Sequence, residues 1–167
     1  MNRDLLRTAM GIAAAGVVVA GLGRSAVYAA NQSADLAVNA TVTKNCTIAT
    51  TALNFGSYDP VGTNATADAV GNGSMLIACT KGAIANVALG NGGGSGPDAR
   101  RLASGTNYLP YQLYKDDGTT VWSTASAVSY TSASKSQTSL TVVGKIPAGA
   151  DIPAGSYTDT VVATINF

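Results

Sequence analysis

The chain has 167 residues, a formal charge of +1 and 11% charged residues, far below the ~25% of an ordinary soluble protein. It contains no His and no Glu, which excludes histidine acid–base catalysis and the usual nucleophilic triads, and leaves its two cysteines a poor metal set. Gly, Ala, Ser, Thr, Asn and Val dominate, a strand-and-turn composition that suits an extracellular β-protein better than a cytosolic enzyme.

Residues 1–30 read as a secretory signal. Arg3 and Arg7 give a positive start, Ala9–Leu22 is an apolar run, and Val27-Tyr28-Ala29 supplies small residues for cleavage after Ala29 or Ala30. The alternative, a membrane anchor, fits less well. The run is shorter than the ~20 residues a spanning helix needs, and Arg24 interrupts its far end. Removing residues 1–30 takes Arg3, Arg7, Arg24 and Asp4, so ten positive charges become seven, nine negative become eight, and the net is −1. No basic footprint for nucleic acid remains.

Asp35–Thr43 alternates with period two, placing Leu36, Val38, Ala40 and Val42 on one face. Thr47–Ile48 and Leu53–Tyr58 follow, the latter ended by Asp59-Pro60. Gly62–Asn72 reads as a polar loop. Ser74–Thr80 is a strand with Met75, Ile77 and Cys79 on one face, and Ile84–Leu89 is the next. The glycine-rich run 90–97 reads as a loop; it lacks the Lys-Ser/Thr of a phosphate loop. Leu102 opens a short segment. Tyr108–Tyr114 reads as a strand with Tyr111 and Leu113 on one face, and Pro110 marks an edge or bulge.

Asp116-Asp117-Gly118 is a hairpin turn before Thr120-Val121-Trp122. Ala127–Tyr130 and Ser139–Ile146 are further strands, and Pro147–Gly155 is a turn-rich connection. Tyr157–Phe167 alternates again, with Tyr157, Val161, Ala163, Ile165 and Phe167 on one face and Thr158, Thr160, Thr164 and Asn166 on the other. This strand runs to the end of the sequence, so no later residue is expected to cover its edge. Strands every ten to fifteen residues predict a single all-β sandwich domain.

Cys46 and Cys79 read as one disulfide in an exported chain, worth about 3–4 kcal/mol for a loop of this length. The aspartates sit mostly beside Gly or Pro and are explained by turn chemistry. Tyr108, Tyr111, Tyr114 and Trp122 suit core and cross-strand packing; a sugar-binding face is the alternative. Nothing in the sequence asks for a catalytic residue, a cofactor, a metal or a small-molecule substrate. Two terminal alternating segments have the parts for strand exchange, and alternation leaves open whether the covering strand comes from the same chain or another.

Several pieces carry a resemblance. Ala40-Thr41-Val42 precedes Asn45-Cys46-Thr47, and Leu53-Asn54-Phe55-Gly56-Ser57-Tyr58 follows. Ile77-Ala78-Cys79, Tyr111-Gln112-Leu113-Tyr114-Lys115-Asp116 and Val143-Gly144-Lys145-Ile146-Pro147 come next. Gly155 to Phe167 (GSYTDTVVATINF) closes the run. In this order the chain resembles, over residues 34–167, the spore coat protein U domain family, which includes the Csu-type pilins of archaic chaperone–usher pili. The resemblance implies an immunoglobulin-like β-sandwich at 44–167, incomplete for want of its final strand. Residues 31–43 would be the donor segment, with Leu36, Val38, Ala40 and Val42 as donor side chains. Tyr157, Val161, Ala163, Ile165 and Phe167 would edge the acceptor groove, and Cys46–Cys79 would be the matched disulfide. Implied partners are other copies or related pilins, a periplasmic chaperone and an outer-membrane usher, with passage through the periplasm to a cell-surface pilus. A secreted coat or matrix protein folding as a self-complemented monomer is the alternative, and a sugar-binding adhesin module a further one.

Overall fold

A computed structural model describes residues 30–93 and 99–167. The signal-peptide expectation falls on residues 1–29, and half of the glycine-run expectation on 94–97; these positions lie outside the described residues. The chain divides into two compact units, Met1–Asn39 and Ala40–Phe167. In the first, residues 30–39 are exposed and carry no strand.

Among the described residues the second unit is all β apart from one short 3-10 turn at Thr63–Ala65. Its strands are β1 (Cys46–Thr51), β2 (Ala69–Cys79), β3 (Ile84–Leu89), β4 (Arg101–Ser104), β5 (Asn107–Pro110), β6 (Gln112–Tyr114), β7 (Val128–Thr131), β8 (Thr138–Ile146) and β9 (Ala163–Asn166). One sheet has the order β1-β2-β8-β6, the other β7-β3-β9, and β4-β5 form a separate hairpin. Every pairing is antiparallel.

Period-two patterning builds the core. Met75, Ile77 and Cys79 of β2 are buried, and so are Val87 and Leu89 of β3. Trp122 is buried with them, and its indole N–H donates to the Val87 carbonyl at 2.8 Å, which satisfies its one polar atom. Cys46 and Cys79 lie directly opposite in the β1–β2 register and are joined by the expected disulfide. The Asp116-Asp117-Gly118 turn forms with Gly118 at φ +64°. The Asp117 carboxylate accepts the N–H groups of Thr119 and Thr120, each at 2.7 Å; the Thr120 side chain first, and then these N–H groups, hold its carboxyl well below the usual range.

Four segments before the last one differ from the sequence reading. Asp35–Thr43 forms no strand, because no neighbouring strand offers it a ladder among the described residues. Leu53–Tyr58 forms none either, although Leu53, Phe55 and Tyr58 pack against the core. Tyr58 instead hydrogen-bonds sideways, donating to the Pro147 carbonyl at 2.7 Å and accepting from Ala150 N–H at 2.9 Å. Tyr108–Tyr114 breaks at Tyr111, since β5 pairs with β4 while β6 pairs with β8. Strand β2 begins at Ala69 rather than Ser74, so the expected loop is shorter. Its glycines are contact points, not turn points. A Cβ on Gly71 would stand 2.6 Å from the Asn54 carbonyl, and one on Gly144 of β8 would stand 2.8 Å from the Phe55 ring. The 53–55 segment lies across the sheet where only glycine lets it approach.

Candidate functional site

The last segment shows the expected alternation, but its strand is shorter. Thr158 exchanges both backbone hydrogen bonds with Ala103 of β4, at 2.8 and 3.0 Å. Only Ala163–Asn166 then pairs with β3. Asp159 sits at the interruption. Its carboxylate accepts from Tyr111 O–H at 2.6 Å, and from the N–H groups of Gly93 and Thr160 at 2.7 Å each. These bonds hold the Asp159 side chain between the Thr158 bridge to β4 and the start of β9.

β9 has β3 on one side and, among the described residues, no strand on the other. β1 is likewise the outer strand of its sheet. Between these two edges lies a cavity of about 270 Å³. Leu53, Phe55, Met75, Val142, Val161 and Ala163 are among the residues that line it. A cavity of ~150 Å³ accepts a benzene ring, so this one has room for about two aliphatic side chains.

The free edge is set by backbone parity. Gly90 N–H donates to the Val162 carbonyl at 2.8 Å, which turns Val162 toward β3. In an antiparallel ladder the direction alternates. The N–H and C=O groups of Ala163 and Ile165 therefore face the open side. Such an edge, above an open apolar cavity, is a template for another strand.

The site residues named from the sequence divide into two groups. Tyr157, Val161, Ala163 and Ile165 are half-buried and pack against the core, while Phe167 is 47% exposed. Leu36, Val38 and Val42 are 87%, 83% and 83% exposed, and Ala40 is also exposed. Large apolar side chains at such exposure lack the burial that stabilises them elsewhere in the fold. Trp122 and Tyr111 belong to the core, so neither offers a face to a sugar. Tyr108 is exposed, with the Arg101 guanidinium stacked 4.0 Å from its ring centre. Among the described residues no His/Cys/Asp/Glu group could hold a metal, and no helix is long and apolar enough to cross a membrane.

Sequence reasoning missed Leu53, Phe55 and Asp159 as groove residues. Asp159 carried a usable signal, because parity puts it on the apolar face between Tyr157 and Val161. Leu53 and Phe55 carried none, since their role depends on glycines far along the chain.

Burial raises the Tyr111 phenol well above its ordinary value, and Asp159 raises it further. The folded chain thus keeps the Tyr111 proton after the unfolded chain, with a phenol near pH 10, has lost it. Stability is expected to hold below pH 10 and to fall above it, by about 1.4 kcal/mol per pH unit from this group. Denaturant melts at pH 9 to 11 check this: Tyr111→Phe should flatten the decline, and an unchanged slope would remove Tyr111 from the account.

Comparison with known proteins places this geometry. The Spore Coat Protein U domain model matches residues 32–164. "Protein U" of Myxococcus xanthus is 36% identical over 159 residues, covering 86% of this chain and 89% of that protein. A solved chain from the CsuC–CsuE chaperone–tip adhesion subunit pre-assembly complex, of the archaic chaperone–usher Csu pili of Acinetobacter baumannii, matches at TM-score 0.58 and 25% identity. That match covers 76% of this chain, and this chain spans only 40% of that one. The fold is accordingly an all-β, immunoglobulin-like sandwich, and the family is structural rather than enzymatic. With its sandwich, its β1–β2 disulfide and a domain match over most of its length, the chain belongs to the Spore Coat Protein U domain family.

Proposed function

We propose that the chain is an exported subunit of a chaperone–usher pilus, polymerising by donor-strand exchange and supporting adhesion and biofilm formation. Residues 31–43 of one copy fill the groove beside β9 of another. One observation carries the reading: an open apolar groove and an exposed alternating apolar segment occur in the same chain. Burying Leu36, Val38, Ala40 and Val42 gives on the order of 5–8 kcal/mol gross, and the added ladder pairs the free groups of Ala163 and Ile165. A periplasmic chaperone covers the groove first, and an outer-membrane usher passes the growing fibre. The Csu pre-assembly complex supports the chaperone as a partner.

The direction of the donor follows from where the ends lie. Asn45, Thr80 and Ala83 are tied together by Thr80 N–H to Asn45 C=O at 2.9 Å and Ala83 N–H to Thr80 C=O at 2.9 Å. The chain's own extension therefore joins the sandwich at the Ile84 end of β3. Ala163 pairs with Leu89 at the opposite end, and β9 runs back toward Ile84. A donor antiparallel to β9 leaves the groove at Val161, away from the acceptor's own extension. Successive bodies then stack end to end, and a head-to-tail contact of this kind propagates as a filament. A parallel donor would emerge where the acceptor's extension begins.

The self-complemented monomer is the competing reading. It would place residues 35–43 in the chain's own groove, where the donor reading places those of another copy. Deleting residues 31–42 tests the choice. The shortened chain should be exported and folded but absent from polymer on size-exclusion chromatography. Fibres built from it would refute the donor assignment.

A further inference from the structure

Resting on the donor-strand reading, we infer that Lys44 of an incoming copy pairs with Asp159 of the receiving copy and fixes the register of the joint. Extending parity by one step adds Lys44 to the donor face after Leu36, Val38, Ala40 and Val42. Extending the groove face the other way adds Asp159 before Val161, Ala163, Ile165 and Phe167. Laid antiparallel, the two faces match at all five levels: Leu36 with Phe167, Val38 with Ile165, Ala40 with Ala163, Val42 with Val161, and Lys44 with Asp159.

Other alignments fail at the charged level. A slip of two residues one way sets Val42 against the Asp159 carboxylate. The opposite slip sets Lys44 against Val161. A parallel arrangement sets Leu36 against Asp159 and Lys44 against Phe167. Each leaves a partly desolvated charge beside an apolar group, which costs more than a matched pair gains. Apolar contacts alone discriminate poorly between two-residue slips, because every second donor residue is aliphatic or small. The charge pair supplies the discrimination.

The local geometry suits this role. Asp159 is half-buried and lines the end of the groove. It accepts three hydrogen bonds, from Tyr111, Gly93 and Thr160. Two carboxylate oxygens accept about four, so one site remains for an ammonium. Lys44 is exposed, and no ion pair involves it among the described residues. It lies just before the anchored start of the sandwich, where the Thr80 hydroxyl donates to the Thr43 carbonyl at 3.2 Å. Its four-carbon stem gives it the reach to bridge two abutting bodies.

Zero-length carbodiimide coupling of polymer formed by the full chain, followed by peptide mass spectrometry, tests the contact directly. An intermolecular Lys44–Asp159 peptide is expected in polymer and not in monomer. Lys44 is exposed, so Lys44→Gln and Lys44→Asp are expected to leave the sandwich folded. Both should lower polymer yield at low salt, by about fivefold for Gln and more for Asp, as for a partly exposed pair. Lys44→Arg should restore it, and raising the salt should narrow the gap between Lys44→Gln and the natural chain. Wild-type yield from Lys44→Asp, or absence of the Lys44–Asp159 peptide from cross-linked natural polymer, would overturn the pairing while leaving donor-strand exchange standing. Polymer from the chain lacking residues 31–42 would overturn the exchange itself.

Discussion

Two variants that cannot polymerise alone are expected to form a one-to-one dimer when exported together, and nothing longer. The first lacks residues 31–42 and keeps an open groove. The second is Ala163→Phe, which keeps its extension but fills its own groove. Ala163 lines a cavity of about 270 Å³, and a ring of benzene size occupies ~150 Å³ or less of such space. The added ring therefore fits without displacing the core and removes the volume that a donor side chain needs. It also buries its own apolar area, so the variant body should melt no lower than the natural one. The extension of Ala163→Phe then has one place to go, the groove of the shortened chain. Neither complex end can grow further: one has no donor and the other no socket. Light scattering of the co-exported mixture should give the summed mass of the two chains. Mixed fibres would mean that the phenyl ring does not close the groove. Two separate monomers would mean that residues 31–42 and this groove are not partners.

Most of the second unit was legible as period-two patterning. Ile84–Leu89 forms a strand with the bounds read from sequence, and Met75, Ile77 and Cys79 face the core as parity requires. Such positions are legible because alternation records which side chains face the interior, whatever the partner strand. What depends on a distant residue was not legible. Gly71 reads as part of a loop and Gly144 as an ordinary strand position in the sequence, yet both are the flat places over which Asn54, Leu53 and Phe55 pass. The break before β9 is another case. Tyr157 to Phe167 alternates with Val162 as its one apolar exception, and nothing in that pattern marks where pairing with β3 ends. The donor segment is the inverse: its alternation was read, and no strand formed in the single chain. A strand is a pairing as much as a pattern, and alternation alone does not supply the partner.

Replacing Arg100 with Met is expected to destabilise the sandwich by about 3–5 kcal/mol, roughly 10 °C or more in Tm for a domain of this size. Arg100 is among the most completely buried side chains, at 1% exposure. Its guanidinium donates to the Gly90 carbonyl at 2.9 and 2.8 Å, to the Leu89 carbonyl at 3.2 Å and to the Trp122 carbonyl at 2.8 Å. It also donates to the Gln112 side chain. Methionine fills similar volume but satisfies none of these acceptors, and buried acceptors without donors carry their full desolvation cost. Lysine keeps the charge but not the planar fork, so Arg100→Lys should recover only part of the loss. The same bonds join the core to the groove. Arg100 holds the carbonyl of Gly90, and the N–H of Gly90 holds Val162 against β3. Loosening Gly90 frees the backbone whose parity turns Ala163 and Ile165 toward an incoming strand. Arg100→Met should therefore lose polymer at temperatures where its sandwich is still folded, a loss that Met in an ordinary core position would not produce. Chemical denaturation of the monomer and polymer yield, measured side by side, separate the two effects. A stability change under 1 kcal/mol would show that the buried guanidinium is not what holds this corner, and full polymer at normal yield would break the link from Arg100 through Gly90 to β9.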